Sequence, residues 1–176
     1  MKYMSYDAET NGLWGQAFAI SAVLVENGKV AKTFLGRCPI SGEINPWVKE
    51  NVLPQMEDIK VTHESYESLL KDFMSFWREN RENTTAVTHM GCPVEARLWI
   101  DAHNLGIIGD WDAPYIGVVD LASYSEIGVS VDSYNKDHEL VPCPESMVGG
   151  THNPLYDSYA AAVAFTHYKS GQQLEF

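Results

Sequence analysis

An Asn27-Gly28 pair lies between two apolar runs, residues 17–25 (AFAISAVLV) and 29–36 (KVAKTFLG). No other short signal in the chain restricts its fold as much. Asn-Gly accepts positive φ at both central positions of a tight I′ turn, whose twist matches that of the strands it joins. The two runs are therefore expected as an antiparallel hairpin. Residues 2–9 (KYMSYDAE) read as a strand before it, so three antiparallel strands open the chain.

The pattern then changes period. Asn45-Pro46 starts a short helix through Val52, stopped by Pro54. Tyr66, Leu69, Leu70, Phe73, Phe76 and Trp77 recur at three- and four-residue spacing and predict an amphipathic helix over 63–80. A fourth strand is expected over 84–90 and a helix from Pro93 to about Asn104, with Gly106 just beyond. A fifth strand is expected over 114–121. Residues 127–151 are polar, carry Pro142, Pro144, Gly149 and Gly150, and read as a long loop. Asn153 and Pro154 cap and begin a last helix, striped by Tyr156, Ala160, Val163, Ala164 and His167 and ending near Gly171. Strands followed by alternating helices and strands predict an α/β chain with a mixed sheet under helices. At 176 residues, residues 1–176 are expected as a single domain that needs no disulfide or metal staple to fold.

Composition narrows the function. Three cysteines (Cys38, Cys92 and Cys143) without C-x-x-C spacing make a poor disulfide framework and a poor zinc site, which favours a reduced, cytoplasmic setting. No apolar stretch approaches the roughly 20 residues of a membrane span. The formal charge of −12 excludes a basic coat that grips nucleic acid by phosphate neutralisation alone. It leaves room for a site that holds divalent cations, which must itself be acidic.

Three groups of acids are candidates for such a site. Asp7 and Glu9 are two apart on the first strand, so both project from one face at its end. Two like charges there repel unless a cation lies between them; otherwise they are two solvated charges. Asp157 falls in the first turn of the last helix and His152 on the chain entering it, so an acid ligand and an imidazole base can reach one point. The plainer reading is a loop histidine and an acid favoured by the helix dipole. Glu95 opens the helix after the fourth strand, where a glutamate is ordinary.

Read in order, the three groups resemble the DEDDh family of 3′→5′ exonucleases, which includes ribonuclease T, oligoribonuclease and polymerase proofreading subunits. The likeness spans nearly the whole chain. Asp7-Ala8-Glu9-Thr10-Asn11-Gly12-Leu13 is similar to the family's D-x-E-T-x-G-L, His152 and Asp157 match its His-plus-Asp spacing, and Val118-Val119-Asp120-Leu121 sits where the family has a strand ending in Asp. Residues 47–54 (WVKENVLP) are similar to a W-V-x-x-x-V-L-P stretch of the small bacterial and phage adenylate-trimming (RNase AS-like) exoribonucleases. One position departs: the family's second motif normally offers Asp, and the best match is Glu95, ahead of Asp101 almost two turns deeper in the helix.

The resemblance implies a ribonuclease H-like mixed five-stranded sheet flanked by helices. It implies two divalent cations, Mg²⁺ or Mn²⁺, held by Asp7, Glu9, Glu95 and Asp157, with His152 as base. The implied substrate is the 3′ end of single-stranded or short RNA and the product a nucleoside 5′-monophosphate. Thr10, Gly12, Leu13 and Trp14 follow motif one and are the substrate-binding candidates, Trp14 either stacking on a base or packed under the hairpin. Lys136 and His138 lie in the 127–151 loop, which either closes over the 3′ end or is plain surface. The remaining histidines (His63, His89, His103, His138 and His167) lack metal-ligand spacing, and a phosphate role for Arg97 or Lys49 has no motif behind it. A DNA exonuclease with the same site and a catalytically silent binding module are the alternatives. Family likeness also implies a homodimer. With 12 Lys and Arg in all, the expected footprint is a few nucleotides, held by metal and stacking.

Overall fold

The computed structural model describes residues 1–115 and 117–176. Its strands are β1 (Lys2–Thr10), β2 (Ala17–Glu26), β3 (Lys29–Arg37), β4 (Thr85–Thr88) and β5 (Val118–Asp120). Its helices are α1 (Pro46–Asn51), α2 (Tyr66–Asn80), α3 (Val94–Asn104), α4 (Val131–Asp137) and α5 (Pro154–Ser170). Asn27 and Gly28 take φ values of 53° and 80°, as the hairpin requires. β2 and β3 run antiparallel from them to the pairing of Ala19 with Arg37. β1 joins β2 antiparallel, β4 lies parallel to β1, and β5 parallel to β4. The order β3-β2-β1-β4-β5 is the expected mixed five-stranded α/β sheet and puts β1 at its centre. The C-terminal ends of the three parallel strands therefore share one edge, the usual place for ligands in such sheets.

The alternation of β1 decides which layer each side chain meets. Met4, Tyr6 and Ala8 join the core with Phe73 and Trp77 of α2 and Trp99 of α3. Tyr3 faces the other way, among Ala161, Ala162 and Phe165 of α5, and its hydroxyl donates to the Ala162 carbonyl at 2.8 Å. By the same parity Asp7 and Glu9 belong to the α5 side. α5 is set down there by a buried polar contact. The Ser21 hydroxyl donates to the Pro154 carbonyl at 2.6 Å and lies 2.6 Å from Ser158 Oγ. Ser21 pairs across the sheet with Asp7, so this contact fixes where the first turn of α5 meets the middle strand.

Five expectations change. Residues 127–151 contain α4, seven residues with Ser130 Oγ accepting from the Ser133 amide and Val131, Tyr134 and Asn135 buried. Its single turn of apolar contacts is too short to show a period. α5 has no stripe: Ser158 to Thr166 are all buried, because α4 covers the side away from the sheet. The Asn135 amide donates to the Ala160 carbonyl at 3.0 Å across that contact. The strand expected over 84–90 stops at Thr88, and Met90 then turns with φ 60°. The strand expected over 114–121 is reduced to Val118–Asp120, with Ile116 outside the described residues. The helix expected to reach Val52 ends at Asn51, and a 3-10 turn over Leu53–Met56 takes in Pro54. No helix among the described residues is long and apolar enough to cross a membrane.

Candidate metal-dependent active site

Asp7 and Glu9 stand at the end of β1, where the pairing with β2 shifts register between Glu9 and Thr10 and the strand stops. Asp157 comes from the first turn of α5. The Asn153 side chain caps that helix by accepting from the Leu155 and Tyr156 amides, and Pro154 occupies the first turn. Carboxylate oxygens of Asp7, Glu9 and Asp157 all lie within 4.8 Å of one another. Glu95 reaches the same place from the opposite face of the sheet, in the first turn of α3, with its Oε1 accepting from the Ala8 amide at 3.2 Å. Glu95 thus leans on the strand between the two β1 acids and stands beside the close trio. Asp101, the other carboxylate weighed for this role, is engaged elsewhere, accepting from the Tyr66 hydroxyl at 2.9 Å and pairing with Arg97.

The electrostatics are those of crowded, dehydrated acids. Burial drives the Asp7 carboxyl well above its ordinary range, and the charges of Asp157, Glu95 and Glu9 push it further. Glu9 moves the same way, first from burial and then from Asp157 and Glu95. Burial raises Glu95 to about 8 against the hydrogen bond from Ala8. Burial likewise raises Asp157 to about 7, tempered by the bond from the His152 amide. Asp7 Oδ2 is buried with no hydrogen-bond partner. Three hard oxygen donors at this spacing, one of them lacking any partner, fit a divalent cation such as Mg²⁺ or Mn²⁺. Its charge would oppose the burial and the repulsion that raise these pKa values.

His152 enters the same cavity, which measures about 380 Å³ and is also lined by Asp7, Glu9, Glu95 and Asp157. Its backbone is in the left-handed region, φ 71°, and its amide donates to Asp157 Oδ2 at 2.9 Å. The imidazole meets the Trp47 ring edge-on, with centroids 5.2 Å apart. Burial lowers its pKa, so the neutral ring prevails at pH 7. His89 and Thr151 line this cavity too. His89 is therefore nearer the site than its lack of ligand spacing implied, with its Nε2 3.1 Å from the Gly128 carbonyl oxygen.

A second cavity of about 350 Å³ opens on the other side of His152 and Glu9, lined by Thr10, Gly12, Leu13, Asn45, Trp47 and Val52. Gly12 is required there. Its φ is 83°, and a Cβ would come within 2.9 Å of Asn45 Nδ2. Trp14 is 73% exposed, so it is not packed under the hairpin; it does not line this cavity, and its ring stays open to stacking on a base. Arg97 Nη1 donates to the Trp14 carbonyl at 2.6 Å, which gives that arginine a structural partner. Lys136 and His138 sit at the far end of α4, where the His138 ring lies 4.8 Å from that of His167 near the end of α5. Neither lines the cavity, to which this segment contributes Val129, Val131 and Thr151. Of the other histidines, His63 pairs with Asp72 and His103 with Asp110.

Two further residues support the site, and of these Asp120 alone had a sequence signal, the strand ending in Asp. Ser21 was one polar residue in an apolar run, recognisable only once the run is paired with Asp7. Asp120 ends β5 and accepts from the Met90 and Gly91 amides at 2.9 and 3.0 Å, which holds the turn leading into Glu95.

No family model matches the chain, and no curated protein matches it. A solved structure does: exonuclease X in complex with 5′ overhanging duplex DNA, at TM-score 0.57 and 20% identity, over 98% of this chain and 95% of that one. The chain shares the fold of that structure. At this identity the likeness speaks for the fold alone.

Proposed function

We propose that the protein is a metal-dependent 3′→5′ exoribonuclease, residues 1–176 acting as one unit in the cytoplasm on the 3′ end of single-stranded or short RNA. One observation carries the proposal: two acids from β1, one from α3 and one from α5 converge with a neutral histidine on a single cavity at the sheet edge. Asp7, Glu9, Glu95 and Asp157 would hold two divalent cations. Bound there, such ions lower the pKa of a coordinated water and offset charge on the scissile phosphate. His152, kept neutral by burial, accepts the proton of the attacking water, while Trp47 and the bond from its own amide to Asp157 keep its ring in place. Thr10, Gly12 and Leu13 floor the second cavity, which takes the terminal nucleotide. The product is a nucleoside 5′-monophosphate. RNA is favoured by residues 47–54, the stretch similar to the adenylate-trimming exoribonucleases, because Trp47, Val48 and Val52 wall that second cavity.

A DNA exonuclease is the second reading, because the similar solved structure holds duplex DNA. The test is to incubate the protein with 3′-tailed RNA and DNA oligonucleotides in Mg²⁺, in Mn²⁺ and in chelator. Stepwise shortening of RNA that stops in chelator supports the proposal. Shortening of DNA alone moves it to the second reading. No cleavage of either strand in either metal overturns the enzyme.

A further inference from the structure

Asp132, outside every motif discussed above, has both carboxylate oxygens engaged. Oδ2 accepts from the Thr151 hydroxyl at 2.8 Å and Oδ1 from the Tyr156 hydroxyl at 2.9 Å. Thr151 precedes His152 and Tyr156 precedes Asp157, so one carboxylate on α4 grips the chain immediately before each of two site residues. We infer that Asp132 is a positioning residue for His152 and Asp157, acting through Thr151 and Tyr156. This inference rests on the proposed function.

The need for such a grip follows from the backbone. His152 is not glycine, yet its φ is 71°. A non-glycine residue held there costs about 1 kcal/mol or more and persists only where its surroundings over-determine it. Three tethers do so. The Asn153 amide donates to the Gly150 carbonyl at 2.9 Å. The His152 amide donates to Asp157 at 2.9 Å. Thr151 is tied to Asp132, and this tether runs to α4. Asp132 is itself well seated, in the first turn of α4, where the helix dipole favours a carboxylate. α4 packs along α5 through the Asn135 bond to Ala160, so the grip refers His152 to the helix that bears Asp157. Short loops that carry a catalytic base need this kind of outer support, because small misplacements cost large factors in rate.

The test uses Asp132→Asn, Thr151→Val and Thr151→Ser, with Asp137→Asn at the exposed far end of α4 as a charge control. Thr151 is exposed, so the valine variant keeps the fold and loses only the donor. Asp132→Asn and Thr151→Val are each expected to lower kcat by roughly tenfold or more, the usual cost of removing an outer-shell partner, with KM little changed. Their double variant is no worse than either alone. Thr151→Ser recovers most of the loss, and Mn²⁺ affinity measured by calorimetry stays the same in the Thr151 variants, which leave the Tyr156 bond to Asp132 in place. Hydrogen exchange at the His152 amide is measured on the same proteins and quickens by roughly tenfold in Thr151→Val, the equivalent of one lost hydrogen bond. Wild-type kcat together with unchanged exchange in both single variants overturns the inference. If the wild-type protein cleaves nothing, the proposed function fails, while the exchange measurement still decides whether Asp132 holds the His152 turn.

Discussion

In chelator, the protein is expected to lose stability as pH rises from 6.5 to 8.5. The cause is the cluster of Asp7, Glu9, Glu95 and Asp157, whose folded-state pKa values are all raised, Asp157 to about 7 and Glu95 to about 8. In the unfolded chain these groups ionise near 4. Across the chosen window the unfolded state has already released its protons and the folded state has not, so the folded state binds more, and stability falls with pH until the folded groups have titrated. Each proton so retained is worth about 1.4 kcal/mol per pH unit. His152 works in the opposite sense, since burial lowers its pKa, but it acts below about pH 6.5, where the unfolded imidazole takes up its proton. If one proton is retained across the two units of the window, the loss is ~3 kcal/mol. For a chain of 176 residues that lowers Tm by about 6–12 °C. The assay is thermal melting in chelator at pH 6.5 and 8.5, repeated with millimolar Mg²⁺ or Mn²⁺. The ions restore Tm most at pH 8.5, and Glu95→Gln flattens the chelator curve. A Tm that is flat or rises from pH 6.5 to 8.5 in chelator, or ions that add nothing at pH 8.5, would refute the reasoning.

Further outcomes follow from single contacts. His152→Ala is expected to keep Mn²⁺ binding and lose most turnover, whereas Asp7→Ala loses both; cleavage by His152→Ala near the wild-type rate would show that the base is another group. Ser21→Ala strands the Pro154 carbonyl and the Ser158 hydroxyl inside the protein and should cost ~1–3 kcal/mol in urea unfolding. Gly12→Ala meets Asn45 at a positive φ and is expected to cost at least ~1 kcal/mol while raising KM for oligonucleotides more than it lowers kcat.

What could be read from the sequence was what local rules dictate. Asn27-Gly28 announced its hairpin and Asn153-Pro154 its helix start because turn and cap chemistry are settled within four residues. Asp7 and Glu9 could be put on one face because strand parity is local. α4 stayed hidden because seven residues with two apolar anchors carry no period. Ser21 looked like a tolerated polar residue because its partner, Ser158, lies on a helix at the other end of the chain. The close approach of Asp7, Glu9 and Asp157, and the place of Glu95 beside them, depend on which faces of β1 meet α5 and α3. That is a long-range fact, and neither periodicity nor composition contains it. Trp14 illustrates the converse: a large apolar side chain at a turn tip has no local feature that says whether it is covered.

The chain order of the cluster also sets when it can exist. Asp7 and Glu9 lie on β1, which is synthesised well before α5 and its Asp157. Until α5 seats on Ser21, the two β1 acids have neither the third carboxylate nor His152 near them. A partly synthesised chain therefore carries the sheet without the assembled acid cluster, which closes only when α5 has docked.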